Sequence, residues 1–365
     1  MAIDSKSTKV LSALKPSKII LPIAVGLGVT AYLIVLDDSI KWDEVWTSVS
    51  NANLLWVFMA FFALVARDAG YVYRIRNLTN KELTWTGSIY VILLWEFASA
   101  LTPSVVGGTA VVMFIINKEG IPFGKSLAYV MLTAVLDNLF FVCASIFVIF
   151  SGINAFPELN LNMAGWDAKL PVETIFIVSA TLIATYTGLM IFGLFVKPQA
   201  LKWLFVKATY NRFLKKFRKT AIRNGDDIIL ASQMLKGMTA KYWAKAILST
   251  TFIWSARYLI VNFLIAAFTN TSFTEHVIIF ARSVVMWIVM LLSPTPGSAG
   301  VADIFFPEFY TEFTNTAGLA VVVGLCWRLL TYYLYLILGV IALPKWVGRV
   351  FGQKTADKTI ETEQK

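Results

Sequence analysis

Apolar residues in this chain come in long unbroken stretches, without the alternation of strands or the narrow stripe of surface helices. Ile19–Leu36, Leu54–Tyr73, Ser126–Phe150, Thr174–Val196, Trp243–Phe268 and Gly318–Leu343 each reach about 18 residues or more, the length a bilayer-spanning helix needs. They predict about six full spans. Two further apolar units are interrupted. Ser88–Thr102 offers about 22 Å of helix and Thr109–Asn117 about 14 Å, with Thr102-Pro103-Ser104-Val105-Val106-Gly107-Gly108-Thr109 at the join. Val277–Leu292 and Val301–Phe309 are joined by Ser293-Pro294-Thr295-Pro296-Gly297-Ser298-Ala299-Gly300. No arm of the first unit crosses a hydrocarbon core of ~30 Å alone. Lipid offers no hydrogen bonds, so a broken backbone at that depth must be buried in protein or line a wet cavity. One such break in each half of a chain points to a transporter's binding site.

Charge orients these elements. Lys and Arg gather in the N-terminal residues 1–18, in 74–81, 118–125 and 197–245, and in the tail, 26 of them in all. The opposite loops hold only Lys41 and Lys169. By the positive-inside rule the first set is cytoplasmic, both termini included. The two broken units then enter from opposite faces as re-entrant hairpins. The expected architecture is an all-α polytopic membrane protein with two inverted-topology repeats, 54–150 and 243–343, inside a membrane domain spanning 19–343. Spacing agrees: Arg67 precedes Pro103 by 36 residues and Arg257 precedes Pro294 by 37, while Asp137 and Arg328 each follow their proline by 34.

Composition supports the membrane assignment, with 58% hydrophobic and 15% charged residues and a mean hydropathy of +0.69. Net charge +10 sits in alternate loops, which argues for orientation and against nucleic acid. A single histidine, His276, excludes a His-rich metal site, and Cys143 and Cys326 lie inside predicted spans as packing residues. Asp37-Asp38 follows the first apolar run where a signal peptide would show small residues, so that run is read as a retained span. The segment 197–241 is basic and aromatic. Phe213 and Phe217 lie four apart, which suits either a solvated loop or an amphipathic helix on anionic headgroups. The residues from 344 to 365 read as a polar disordered tail.

Charges inside apolar runs are expensive and should face the interior. They are Arg67, Asp68, Glu96, Asp137, Arg257, Arg282 and Arg328, with Asp303 just past the second break. Arg67, Arg257 and Arg328 are candidates to hold a lipid phosphate, and Glu96, Asp137 and Asp303 to balance charge or carry a proton. The bland alternative is that pairs such as Arg67–Asp137 brace helices. At the breaks, Pro103, Pro294 and Pro296 end the incoming helices. Gly107, Gly108, Thr109, Gly297 and Gly300 would admit a headgroup to the first amides of each return arm. No HExxH, GxSxG or Walker loop is present, so no catalytic residue, metal or cofactor is expected.

The stretch Leu101-Thr102-Pro103 through Gly107-Gly108-Thr109-Ala110, followed by Asn117-Lys118-Glu119-Gly120, resembles the first signature of the lysylphosphatidylglycerol synthase transmembrane-domain family, also called flippase-like. Pro294-Thr295-Pro296-Gly297-Ser298-Ala299-Gly300-Val301-Ala302-Asp303 resembles the second, with Asp303 where that family usually has glutamate and Ser298 where it has a further glycine. The likeness covers roughly residues 18–345. It implies an inner-membrane protein that moves anionic or aminoacylated phospholipids, or related glycolipids, between leaflets. The aminoacyl-transferring domain of two-part members would follow the last span, where only about 20 polar residues remain here. The expectation is therefore translocation without lipid synthesis. A membrane-embedded lipid-modifying enzyme and a non-transporting scaffold for a lipid synthase are the alternatives.

Overall fold

The structure is a computed structural model that describes residues 14, 20–36, 42–102, 105–163, 166–211, 214–291, 293, 295–314 and 316–363. Pro103, Pro294 and Phe213 lie outside the described residues. The helices are α1 (Ile20–Leu36), α2 (Trp42–Ser50), α3 (Leu54–Leu78), α4 (Trp85–Leu101), α5 (Val105–Lys118), α6 (Phe123–Phe150), α7 (Val172–Ile191), α8 (Pro198–Ala208), α9 (Arg218–Lys236), α10 (Ala240–Phe268), α11 (Phe273–Met290), α12 (Val301–Thr314), α13 (Ala317–Arg328) and α14 (Leu334–Glu363). Leu329–Tyr333, between α13 and α14, is a π-helical turn, as is Phe192–Val196 after α7.

The chain has the predicted all-α polytopic membrane fold. Among the described residues, six segments are long and apolar enough to cross a bilayer: Leu54–Leu78, Phe123–Phe150, Val172–Val196, Ala240–Phe268, Phe273–Met290 and Ala317–Phe351. Their membership differs from expectation by one exchange. The described helix of the first apolar run has 17 residues, whereas the incoming arm of the second broken unit starts earlier than its hydropathy suggests and reaches 18. Ser272 and Glu275 form a capping box that lets α11 begin at Phe273. Similar side-chain caps open α3 (Asn53), α4 (Thr84), α10 (Thr239) and α13 (Thr316). Hydropathy is blind to these caps because they are polar residues at the ends of apolar runs.

Three other expectations need correction. The segment 151–173, read as a loop, contains an antiparallel hairpin, β1 (Leu159–Met163) with β2 (Trp166–Leu170), in register Leu159 with Leu170. The basic segment, read as either a solvated loop or an amphipathic helix, forms two helices, α8 and α9, packed on each other with a short 3-10 turn at Lys215–Phe217 between them. The tail after Leu343 continues α14 through Pro344 to Glu363. Within it the Trp346 indole is fully buried and donates to Glu119 Oε1 at 2.6 Å, and Arg349 pairs with the same carboxylate.

α3 and α10 lie against each other more extensively than any other pair and form the centre of the molecule. The two largest apolar cores among the described residues flank them. One joins α3 and α10 to α11, α12 and α13 through residues such as Ala60, Leu64, Val285, Phe306 and Val323. The other joins α4, α5 and α14 through Phe97, Val112, Ile115, Leu336 and Trp346. Each broken unit thus has its own packing partner.

Candidate functional site

The described part of the second break holds a 3-10 turn, Pro296–Ser298, in which Gly297 (φ 55°) and Ser298 (φ 53°) are left-handed, followed by Gly300 (φ 81°). A Cβ on Gly297 would lie 2.2 Å from the Tyr332 ring, so glycine is required for the approach as well as for the dihedral. The α12 N-terminus that follows is already occupied by an acid, since Gly300 N–H donates to Asp303 Oδ2 at 2.9 Å. This departs from the expected open anion site at the return arm. Asp303 also faces Arg328, whose Nε lies 3.2 Å from Asp303 Oδ1 and whose Nη1 donates to Gly297 O at 3.2 Å.

At the first break, α4 closes with Thr102 Oγ1 donating to Ala98 O at 2.7 Å. Gly107, Gly108 and Thr109 belong to the first turns of α5 and not to an open loop. A Cβ on Gly108 would lie 2.6 Å from Ser99 Oγ, so this glycine lets the two arms approach closely. The two breaks meet. Tyr332, which covers Gly297, donates its hydroxyl to Ala100 O at the end of α4 at 3.2 Å, and the Pro296–Ser298 turn packs on α4.

One to two turns beyond Tyr332 and Ala100 lies the main cluster of charge. Arg67 is fully buried and donates from Nε and Nη2 to Asp68 Oδ1 at 3.0 and 2.7 Å. Tyr335 bridges Arg67 Nη2 and Asp68 Oδ2 with its hydroxyl. Glu96 Oε1 lies 2.9 Å from Arg257 Nη2 and 3.9 Å from Arg67 Nη2, so one carboxylate from the first broken unit serves two arginines from α3 and α10. Arg74 pairs with Asp137 through Nη1 and Nη2 and donates from Nη1 to Thr250 Oγ1 at 3.0 Å, while Trp254 Nε1 donates to Asp137 Oδ1 at 2.8 Å. The Tyr71 ring stands 5.9, 5.1 and 5.8 Å from the guanidinium carbons of Arg67, Arg74 and Arg257. Trp254 and Trp287 stack on Arg257 at 5.2 and 4.8 Å.

Arg67, Arg257, Glu96 and Asp137 are therefore brought together, and Arg328 and Asp303 form an adjoining pair under the second break. The expected Arg67–Asp137 pair does not form; Arg74 holds Asp137 and Asp68 holds Arg67. Arg282 stands apart, donating to Phe309 O at 2.9 Å and Glu312 Oε2 at 2.5 Å. Sequence reasoning missed Arg74, which reads as the first residue of a basic loop but is buried inside α3. It also missed Tyr71, Tyr332 and Tyr335. The i, i+4, i+7 spacing of Arg67, Tyr71 and Arg74 puts all three on one helical face and was the available signal.

Four guanidinium nitrogens in this region are buried without a hydrogen-bond partner among the described residues: Arg67 Nη1, Arg257 Nε, Arg328 Nε and Arg328 Nη2. Buried donors of this kind carry a desolvation penalty unless a ligand or water meets them.

Comparison with known proteins agrees with this architecture. The model of the lysylphosphatidylglycerol synthase TM region matches residues 19–339. A UPF0104 membrane protein of Archaeoglobus fulgidus is 25% identical over 332 residues, covering 88% of this chain and 94% of its own length. A UPF0104 membrane protein of Methanocaldococcus jannaschii is 24% identical over 326 residues, covering 86% and 91%. The match runs from the first apolar helix into α14 and takes in both breaks and the charged cluster, and the chain belongs to the family of the lysylphosphatidylglycerol synthase transmembrane region.

Proposed function

We propose that this protein translocates a phospholipid or related amphiphile between the leaflets of the cytoplasmic membrane, receiving the headgroup at the charged cluster between the two broken units. In this reading the broken units are opposed re-entrant hairpins of two inverted repeats, with both chain termini in the cytoplasm. The observation that carries it is the meeting of both breaks with one set of buried ions: Tyr332 touches both tips, and Glu96 from the first unit binds arginines of α3 and α10. Ions at membrane depth are retained where they serve a path for a polar cargo. Unpartnered donors on Arg67, Arg257 and Arg328 supply the hydrogen bonds that a headgroup loses when it leaves water. Membership of a family named for a lipid synthase points the cargo towards lipid. The protein moves that lipid and does not alter it.

The test is leaflet accessibility. Purified protein is reconstituted in vesicles with fluorescent phospholipids, and a membrane-impermeant reductant quenches the outer leaflet. Wild type should expose inner-leaflet lipid faster than protein-free vesicles, and Glu96→Gln and Arg257→Gln should slow it roughly tenfold or more if each interaction contributes about 1.4 kcal/mol to the barrier. Chemical change in the recovered lipid would turn the reading to an enzyme. Equal rates with and without protein, across several headgroups, would turn it to a scaffold.

A further inference from the structure

The charged cluster is balanced. Arg67, Arg74, Arg257 and Arg328 face Asp68, Glu96, Asp137 and Asp303, four cations against four anions, each arginine within hydrogen-bonding or ion-pair distance of a carboxylate of the set. An ion entering a water-poor site is stable only if its charge is compensated there. A lone phosphate would leave this set one charge negative, and a lone ammonium one charge positive.

Accessibility within the set is uneven. Arg67 has a fully buried side chain while its partner Asp68 is 28% exposed. Arg74 is 2% exposed against 19% for Asp137, and Arg257 is 13% exposed against 19% for Glu96. In each of these three pairs the carboxylate is the more exposed partner. Under the second break Arg328 and Asp303 are equally buried, and there the carboxylate already occupies the helix N-terminus. Unpartnered donors of the set lie on Arg67, Arg257 and Arg328, and the neighbouring Trp287 Nε1, Tyr258 hydroxyl and Tyr333 hydroxyl likewise have no partner among the described residues. The set offers partly exposed acceptors and buried spare donors.

Building on the transport reading above, we infer that the headgroup this cluster accepts is dipolar and carries no net charge, a phosphate and an ammonium on one lipid. The ammonium meets Asp68 and Glu96, and the phosphate takes the free N–H groups of Arg67 and Arg257. Partners are exchanged and the charge of the interior is unchanged. Lipids of net charge, anionic or cationic, enter only at the expense of an uncompensated ion. No covalent step is involved.

The experiment is competitive binding. Purified protein in neutral detergent is offered equimolar phosphatidylethanolamine, phosphatidylglycerol and lysylphosphatidylglycerol with identical acyl chains, and bound lipid is measured by native mass spectrometry. These headgroups carry zero, negative and positive net charge at neutral pH. Wild type should retain phosphatidylethanolamine over either competitor by roughly tenfold, equivalent to about 1.4 kcal/mol. Glu96→Gln leaves an arginine in excess and should move the preference to phosphatidylglycerol. Arg257→Gln leaves a carboxylate in excess and should move it to lysylphosphatidylglycerol. Equal binding, or preference for a charged lipid by wild type, overturns the inference. So does a wild-type preference that neither variant alters, since it would come from lipid on the outer surface. If a variant is not recovered folded, the wild-type ratio decides. Selection of phosphatidylethanolamine by a protein that moves no lipid in vesicles would remove the transport reading and leave this inference standing.

Discussion

Arg74 shows how much one side chain decides. It is buried, and it is the guanidinium partner of Asp137, with Thr250 taking a second bond. Removing one member of a buried pair costs about 3–5 kcal/mol, most of it from the ion left behind. Arg74→Ala should fall at the lower end, roughly 3 kcal/mol, because Asp137 keeps the Trp254 bond and some exposure. Arg74→Met with Asp137→Leu should recover most of that loss, and thermal unfolding in detergent measures both. An Arg74→Ala protein as stable as wild type would mean that the pair is not structural. Gly297 offers a cleaner separation of causes. Gly297→Ala suffers both a left-handed φ and collision with Tyr332. Adding Tyr332→Leu relieves the collision alone, so the double variant should retain a deficit of about 1–2 kcal/mol, the left-handed cost of a residue with a Cβ. Arg67, Arg257, Arg328, Glu96 and Asp137 were legible in the sequence because a charge inside an apolar run announces its own cost. Arg74 was not, since the apolar run ends at Tyr73 and a basic residue there looks like the start of a cytoplasmic loop. The tyrosines were hidden for another reason. The chain has 13 of them, and in membrane proteins tyrosine is as common at the interfaces as in a site.

At the scale of elements, the two breaks were readable because proline and glycine in an apolar run have few other meanings. Helix ends were read less well. α11 starts at a polar capping box and α3 runs on to Leu78, both of which hydropathy truncates. β1 is short, and the alternation of Leu159, Leu161 and Met163 with asparagines was outweighed by the prolines near it. The extension of α14 is the largest surprise, because the composition after Lys345 is that of a solvated segment. What holds its first turns is Glu119, at the end of the first broken unit, buried to 7% and bonded by both Trp346 and Arg349. A chain ending after Leu343 would leave that carboxylate without either partner. Recovery of monodisperse protein should drop sharply on this truncation, and Glu119→Gln should restore part of it by removing the stranded charge. If truncation alone leaves recovery unchanged, α14 beyond Leu343 is not an anchor for the first broken unit.

Across the whole molecule, neither half completes its own surroundings. Arg67 and Asp68 come from the first half of the chain and Tyr335 from the second. Glu96 and Arg257 divide in the same way, and so do Arg74 with Thr250 and Ala100 with Tyr332. The α3–α10 contact, the largest in the fold, runs along the same divide. In genetic terms the chain behaves as two subunits that happen to be covalently joined. A cut between Asn211 and Leu214, outside every span, should yield two polypeptides that assemble when coexpressed and co-purify through a tag on either one. Expressed singly, the first half would lose Arg257 from Glu96 and the second would carry Arg257 without its carboxylate, and each should be lost to degradation.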